Sequence, residues 1–218
     1  MRSTLIGVTQ RVVDVSNRGE RRDALDQAWT VFLHACGLEI LPLPNRHPDI
    51  VEYVKDSRIM GCLLTGGNNL SEANSEKRQS SDVFPERDET EKALVEYATE
   101  IGLPVLGVCR GMQMLNIIHG GIVSEIKGHA NTRHAIMSFA AGEKQFSFDS
   151  TVNSYHDWAV TLDSLAPDCD ALYVTDNCVE AMHHNALPHL GVMWHPERNK
   201  PFSKNDLKNV RQFFRGGT

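Results

Sequence analysis

The segment VLGVCRGMQ (105–113) joins an apolar run to an amphipathic stretch through a single cysteine, Cys109. The apolar run is typical of a strand covered on both faces, and the residues after Cys109 have the spacing of a helix. Gly107 and Gly111 stand two positions to either side and allow a tight turn. A nucleophile at such a turn projects from the sheet edge, at a helix N-terminus that favours a thiolate. The alternative is a buried core cysteine at the end of a strand.

The first half of the chain, which ends with this segment, alternates apolar runs with amphipathic stretches. The runs predict strands at 5–10, 38–44, 61–67 and 104–109, and the stretches predict helices at 23–35, 47–58, 88–101 and from 110 to the glycine pair 120–121. This alternation predicts an α/β fold with a doubly wound, mostly parallel sheet covered by helices on both faces. Asp88 and Glu91 stand three positions apart at a predicted helix start, so we expect a capping box there.

The second half of the chain has a different pattern. Six short segments predict a small antiparallel addition at one side of the sheet, namely IVSEI, HAIMSF, KQFSFDS, ALYVT, CVEAMHH and HLGVMWH. A final helix is predicted at 204–214, and no linker or repeat divides the chain, so we expect a single domain over 1–218. The polar stretch at 68–87 has no period and predicts a long loop, of the kind that binds ligands or stays disordered.

Composition excludes several classes of partner. The formal net charge is −6, which argues against nucleic acid and anionic membrane, and no apolar run is long enough to span a bilayer. The N-terminus lacks the apolar core of a signal peptide, so we expect a cytoplasmic protein. The five cysteines include no C-x-x-C pair, and the ten histidines include no H-E-x-x-H motif. We therefore expect neither a disulfide framework nor a structural zinc site, and the chemistry expected below needs no metal or organic cofactor.

Three loops are expected at the carboxyl edge of the parallel strands, where open α/β sheets bind ligands. They carry Thr9-Gln10-Arg11, Thr65-Gly66-Gly67 and Cys109. The backbone N–H groups of Gly67 and Arg110 are expected to hold an oxyanion beside the cysteine, because acyl transfer needs such donors. The alternative for the glycine pair is a plain turn.

Near the end of the chain, GVMWHPE (191–197) places a histidine close to a carboxylate. In a strand, His195 and Glu197 would share one face, so that Glu197 orients the imidazole and stabilises its charged form. Trp194 would then point to the opposite face, into the core. A thiol nucleophile needs such a base, and the alternative is a histidine with a purely structural role.

Three motifs follow one another along the chain: TGG (65–67), GVCRGMQ (107–113) and WHPE (194–197). Their order and spacing resemble class I glutamine amidotransferases and the related γ-glutamyl hydrolases of peptidase family C26. The resemblance implies the flavodoxin-like fold of the class I glutamine amidotransferases. It also implies that Cys109 is the nucleophile, that His195 is the base with Glu197 as its partner, and that a γ-glutamyl thioester forms.

The same resemblance implies contacts with the glutamyl group. Gln113 resembles the family residue that helps to hold this group, and Gly66 is expected to line the same pocket. The segment VNSYH (152–156) resembles one that lies over the glutamyl α-amino and α-carboxylate groups. Its candidate contacts are Ser154, Tyr155 and His156. The alternative for this segment is a strand followed by a turn.

Proteins of this kind either supply ammonia to a synthase partner or hydrolyse a γ-glutamyl amide on their own. Residues 84–91 (FPERDETE) are similar, through R-D-x-x-E, to the free-standing γ-glutamyl-GABA hydrolase group, so we favour hydrolysis of a small-molecule γ-glutamyl substrate. The 68–87 loop lacks the proline- and tyrosine-bearing pattern of that group, which indicates a different amine. The alternatives are a glutaminase subunit with a synthase partner and a catalytically idle binding protein, although idle relatives usually lose the cysteine or the histidine.

Arg11 follows the first predicted strand and bears on the identity of the amine. An arginine at this edge is placed to pair with an anion on the leaving group. The TQR start (9–11) and the chain length are similar to small relatives that cleave γ-glutamyl groups from nucleotide-linked amidates in bacterial surface-glycan pathways. The alternative is an ordinary solvated arginine. The sequence leaves a homodimer open.

Overall fold

The computed structural model describes residues 4–71, 82–139 and 146–216. Within these residues the strands, numbered in chain order, are β1 (Thr4–Thr9), β2 (Arg11–Val15), β3 (Glu20–Ala24), β4 (Leu38–Leu43), β5 (Cys62–Leu64), β6 (Val105–Val108), β7 (Ser124–Glu125), β8 (Thr132–Ala135), β9 (Met137–Ser138), β10 (Thr151–Ser154), β11 (Trp158–Ala159), β12 (Cys169–Thr175), β13 (Cys178–His184) and β14 (His189–Val192). The α-helices are α1 (Gln27–Ala35), α2 (Ile50–Ser57), α3 (Pro85–Ile101), α4 (Arg110–Ile118) and α5 (Lys204–Arg215).

Eight strands form one central sheet in the order β4-β1-β5-β6-β14-β13-β12-β9. The first five pair in parallel, and the last three are added antiparallel at one side. Strands β1, β5 and β6 end at the same edge, so the three loops that follow them meet there. The doubly wound, mostly parallel sheet with a small antiparallel addition is therefore confirmed.

Strand β14 corrects one prediction. The segment HLGVMWH was predicted to be antiparallel, but β14 lies parallel to β6, with Gly191 opposite Gly107 and Val192 opposite Val108. All four residues of β14 are buried, as expected of an interior strand covered on both faces. This register brings the chain that follows β14 beside Cys109.

A hairpin of β2 and β3 replaces the start of the first predicted helix. Asp23 was predicted to begin that helix, whereas it lies in β3 and pairs with β2. Helix α1 begins only at Gln27, where the Asp26 carboxylate caps it by accepting a hydrogen bond from the Ala28 N–H at 2.9 Å. The apolar alternation of a strand is missing from β3 because most of its residues are exposed.

Helix α3 begins at Pro85, before the predicted start at Asp88. The predicted capping box is wrong, because Asp88 and Glu91 are buried and pair with arginines. Phe84 precedes the helix without a side-chain cap, and proline suits the first helical turn because its missing N–H needs no partner there. In a sequence, two carboxylates three positions apart are equally compatible with a helix cap and with an ion-pair network.

Hydrophobic side chains cover both faces of the central sheet. One face packs against α1 and α5 through residues such as Trp29, Phe32 and Phe214. The other face packs against α2, α3 and α4 through residues such as Val54 and Leu94. No helix in the described part of the chain is long and apolar enough to cross a membrane.

Two predicted segments are only partly described. In KQFSFDS, residues 146–150 form no strand, and residues 144–145 lie outside the described ranges. The predicted loop at 68–87 is described at both ends, whereas residues 72–81 lie outside the described ranges. Near its start, the Asn68 side chain accepts a hydrogen bond from the Val12 N–H at 2.8 Å, which joins the loop to β2.

Candidate active site

Cys109 stands at the sharp turn between β6 and α4. Its backbone takes φ +53° and ψ −108°, a conformation that L-residues rarely adopt and that costs about 1–3 kcal/mol. Its N–H donates to the Val192 carbonyl at 2.8 Å, which fixes the turn to β14. A Cβ at Gly107 would lie 2.5 Å from the Gly111 backbone, and one at Gly111 would lie 2.1 Å from the Leu64 oxygen. Both flanking glycines are therefore required for the close approach of β6, α4 and β5.

His195 and Glu197 lie in the turn after β14, and they meet in a different way from the one predicted. The strand ends at Val192, and Glu197 belongs to a short 3₁₀ helix, Pro196–Arg198, that His195 precedes. Nδ1 of His195 donates to Oε1 of Glu197 at 2.7 Å, and both side chains are buried. The helical turn, and not a shared strand face, brings the pair together. Trp194 is buried in the core, as predicted.

The His195 ring is coupled to Cys109. Burial alone would lower the pKa of His195, but the charge and hydrogen bond of Cys109, together with Glu197, outweigh burial and raise the pKa to about 9. The ring therefore lies between the Cys109 sulfur on one side and a carboxylate on the other, and both favour its charged form. This arrangement suits a nucleophile with an attached proton donor.

Asn153, in β10, holds the backbone of His195 from two sides. Its Oδ1 accepts from the His195 N–H at 2.8 Å, and its Nδ2 donates to the His195 carbonyl at 2.8 Å. Sequence reasoning missed this residue, although it stands in the VNSYH segment directly before the candidates proposed there. We interpret Asn153 as a positioning residue for the imidazole.

The Thr65-Gly66-Gly67 loop is held by a buried arginine. Arg87, on α3, donates to the carbonyl oxygens of all three loop residues, at 2.7 Å for Thr65 and 3.3 Å for Gly66. In a trans peptide the C=O and the following N–H point in opposite directions, so the N–H of Gly67 points away from Arg87. A Cβ at Gly66 would lie 2.5 Å from Cε1 of His195 and 3.4 Å from Cβ of Cys109, so only glycine fits there.

Arg87 belongs to a buried network that also anchors the helix after Cys109. Oε1 of Glu91 accepts from Nε of Arg87 at 3.0 Å and from the Thr9 hydroxyl at 2.8 Å. The Arg110 guanidinium donates to both Glu91 and Asp88. Burial, and then the nearby charge of Arg110, lower the pKa of Arg87 to about 10. The network joins α3 to the ends of β1, β5 and β6. In the sequence, the residues that form it on α3 are those of the R-D-x-x-E stretch.

A cavity of about 500 Å³ opens above Cys109. Of the predicted glutamyl contacts, Gln113, Tyr155 and His156 line it. Ser154 does not, because its side chain is fully buried and its hydroxyl donates to the His129 carbonyl, so this prediction is not supported by the geometry. Gly66 lies beneath the cavity against His195. Gln113 donates from Nε2 to the Trp158 carbonyl at 2.8 Å, which fixes its amide.

Besides Arg110, two further arginines line the same cavity. Arg11, in β2, lies over the glycine loop, within 3.4 Å of a Cβ built at Gly67, and pairs at 3.7 Å with Asp82. Arg198, which sequence reasoning missed although it follows Glu197 directly, stacks its guanidinium 4.7 Å from the centre of the Tyr155 ring. Nε of Arg198 also lies 3.6 Å from Oε1 of Glu197. Both guanidinium groups are partly exposed, so each can also meet an anionic ligand.

The chain is similar in sequence to enzymes of more than one kind. It is 32% identical over 209 residues to a γ-glutamyl-CDP-amidate hydrolase from Campylobacter jejuni, with 94% of each chain covered. It is 27% identical over 159 residues to one subunit of a glutamine-hydrolysing GMP synthase from Methanococcus maripaludis, with 71% of this chain and 72% of that one covered.

Structural similarity extends over nearly the whole chain. A glutamine amidotransferase from Thermotoga maritima matches it with a TM-score of 0.65 at 15% identity, over 97% of this chain and 84% of that one. This likeness shows the glutamine amidotransferase fold. The family model for peptidase C26 matches residues 4–197. The chain is therefore a member of the peptidase C26 family.

Proposed function

We propose that the protein hydrolyses a γ-glutamyl amide through a thioester on Cys109, and that the amine half of the substrate carries phosphate. The observation that carries this proposal is the contact of Cys109, in its strained turn, with a His195–Glu197 pair joined at 2.7 Å. Family membership and the Campylobacter jejuni relative support hydrolysis of a γ-glutamyl amide.

In the first step, the Cys109 sulfur attacks the γ-carbonyl carbon and forms a carbon–sulfur bond. The carbonyl oxygen becomes an oxyanion, which the N–H groups of Gly67 and Arg110 stabilise. The first N–H of a helix has no partner within the helix, so that of Arg110 is free to donate. The carbon–nitrogen bond then breaks, and the imidazolium of His195 gives its proton to the leaving amine.

In the second step, water attacks the γ-glutamyl thioester. His195, now neutral, takes a proton from the water as its oxygen adds to the carbonyl carbon. The carbon–sulfur bond breaks, and glutamate leaves as the thiolate and imidazolium are restored. Glu197 keeps the ring oriented throughout and stabilises its charged form. Gln113 and Tyr155 are proposed to hold the glutamyl group.

Arg11 and Arg198, which line the cavity, support a phosphate-bearing leaving group. Arginine binds phosphate through paired, charge-assisted hydrogen bonds, and two guanidinium groups suit a diphosphate. The Arg11–Asp82 pair is half exposed, and such surface pairs are weak, so Arg11 can exchange it for a phosphate. The relative that acts on a γ-glutamyl-CDP-amidate, with 94% of both chains covered, supports the same class of substrate.

Replacing either arginine should weaken the reaction with a nucleotide substrate selectively. We expect Arg11→Leu and Arg198→Leu each to lower kcat/KM for a γ-glutamyl nucleotide amidate by about 10-fold or more, since a hydrogen bond to a charged group contributes about 1.5–3 kcal/mol. Glutamine, which lacks phosphate, should change much less in Arg11→Leu, whereas Arg198→Leu should also lower its rate in part because Arg198 contacts Glu197. Glutamate release from the two substrates and from γ-glutamyl-GABA provides the measurement.

The exposed Arg46, outside this cavity, supplies the matched control, and Arg46→Leu should leave all three rates unchanged. Equal losses for glutamine and the nucleotide amidate would show that the arginines act on structure alone and would contradict a phosphate site.

The second candidate is a glutaminase subunit that passes ammonia to a synthase. The similarity to the GMP synthase subunit supports it. Under that function, glutamine would be the best of the three substrates, and glutamate release would rise when the synthase partner is added. The same assays therefore separate the two candidates.

A further inference from the structure

A second cluster of titratable side chains lies next to the cavity, outside the Cys109 site. Single atoms of His129, His156 and Glu180 come within 4.8 Å of one another. Oε1 of Glu180 lies 3.8 Å from Nδ1 of His129 and 3.2 Å from Nε2 of His134. These residues belong to three separate segments: the region around β8, the residues after β10, and the middle of β13.

Five buried polar atoms of this cluster make no hydrogen bond to the described residues. The exposed fraction is 0% for Glu180, 5% for His156 and 9% for His129. Among the described residues, no hydrogen-bond partner exists for either oxygen of Glu180, Nδ1 of His129, Nε2 of His134 or Nε2 of His156. Buried polar groups are almost always paired, and an uncompensated buried carboxylate is especially costly. Such atoms on four residues around one point therefore indicate a partner other than a protein group.

His156 is prepared to act as a ligand. Nδ1 of His156 is 2.9 Å from the Trp158 carbonyl, and donation there leaves the Nε2 lone pair for a ligand bond, the orientation usual in metal sites.

We propose that His129, His156 and Glu180, with His134 as a fourth ligand, bind one zinc ion. Imidazole nitrogen and carboxylate oxygen are both zinc ligands, and this residue set favours zinc over calcium or magnesium. Tetrahedral zinc with bonds of about 2.0–2.1 Å separates its ligand atoms by about 3.3 Å. The 3.2 Å separation between Oε1 of Glu180 and Nε2 of His134 matches that value. The 3.8 Å separation between Oε1 of Glu180 and Nδ1 of His129, and the separations of up to 4.8 Å among His129, His156 and Glu180, require these side chains to move closer together when the ion binds.

The ion would be structural, because four protein ligands fill a tetrahedral zinc and leave no position for substrate. It joins the central sheet at β13 to the segment that places Tyr155 and His156 on the cavity wall. Sequence reasoning missed the site because its ligands are dispersed along the chain and match no short metal-binding motif. No step of the proposed hydrolysis passes through the metal, so the two proposals fail or succeed separately.

Zinc binding is measured on the full chain, prepared without a histidine tag and stripped of metal with a chelator. Titration against a chromophoric zinc indicator should give one zinc per chain, with a Kd of about 10⁻⁷ M or tighter. At a free zinc concentration of 100 times Kd, the Tm should rise by about 5–10 °C. Substitution with cobalt(II) should give the visible absorption of a tetrahedral site without a thiolate charge-transfer band.

Variants of the proposed ligands test whether zinc binds to these residues. Glu180→Gln and His129→Ala should each weaken zinc binding by at least about 100-fold, the upper end of what the loss of an outer-shell partner alone costs. Zinc affinity should be unchanged in His184→Ala, which alters a separate histidine cluster, and in Cys109→Ala.

Three outcomes would overturn the proposal. They are a wild-type Kd weaker than about 10⁻⁵ M, equal affinity in either ligand variant, and loss of binding in Cys109→Ala. If the ligand variants do not fold, the cobalt spectrum of the wild-type chain decides, since a thiolate band would place the ion on a cysteine.

Discussion

Glutamate release from a γ-glutamyl amide is expected to fall by at least about 10⁴-fold when Cys109 is replaced by alanine. The variant has no nucleophile, so neither the carbon–sulfur bond nor the thioester can form. The oxyanion donors and the cavity remain, which is why a small residual rate above the uncatalysed one is allowed. The measurement is a coupled assay for free glutamate under single-turnover conditions.

The fold should survive this substitution. Alanine keeps the Cβ and therefore the strained turn, and the backbone hydrogen bond from residue 109 to Val192 is retained. Cys169→Ala is the matched control, since it removes a buried thiol from β12, away from the cavity, and should keep full activity. Glutamate release near the wild-type rate in Cys109→Ala, with unchanged circular dichroism, would refute the proposed mechanism.

Replacing Glu91 with glutamine should lower the free energy of unfolding at pH 7 by about 3–5 kcal/mol, as expected when one member of a buried ion pair is removed. The glutamine keeps the shape of the side chain but leaves the guanidinium groups of Arg87 and Arg110 with less compensating charge. Denaturant unfolding measures the change. Glu96→Gln on the same helix is the control, since Glu96 is exposed and its loss should alter stability by less than about 0.5 kcal/mol.

The effect of Glu91→Gln should depend on pH. Burial alone would raise the pKa of Glu91, but Arg110, Arg87 and the Thr9 hydroxyl outweigh it, so the pKa lies below the usual 4.5. The carboxylate therefore contributes stability that is present above that value and is lost as the pH falls through the folded-state pKa. The difference between wild type and variant should be largest near neutral pH and shrink in acid. A difference that stays constant from pH 7 to pH 3 would show that the charge of Glu91 contributes nothing.

Local pattern was enough to predict the parallel half of the fold and the placement of Cys109. Apolar runs that end in small residues marked β1, β5 and β6. Parallel strands place their carboxyl ends at one edge of the sheet, regardless of the residues in the loops that follow them. The direction of β14 was not predictable from its own residues, because a short, fully buried strand has the same composition in parallel and antiparallel pairs. The β2–β3 hairpin was not predictable either, because its strands are mostly exposed and therefore show no alternation of apolar residues.

The candidate site was predictable where the chemistry is local, as at Cys109 and in His195-Pro196-Glu197. Asn153 and Arg87 act through contacts with residues 42 and about 20 positions away, and such partners depend on the packed fold. The sequence predicted that His195 and Glu197 would meet on one face of a strand, which is the wrong geometry. The prediction of their contact held because two residues of separation also suit a 3₁₀ turn.

The central claim, a common thioester on Cys109, is tested most directly by partition of that intermediate between water and hydroxylamine. Two γ-glutamyl substrates with different leaving amines would be compared in the same buffer, and both glutamate and γ-glutamyl hydroxamate would be measured. If both substrates pass through one thioester, the ratio of hydroxamate to glutamate must be the same for both, because the amine has left before the choice is made. A ratio that differs between the two substrates would contradict the common intermediate and the mechanism built on it.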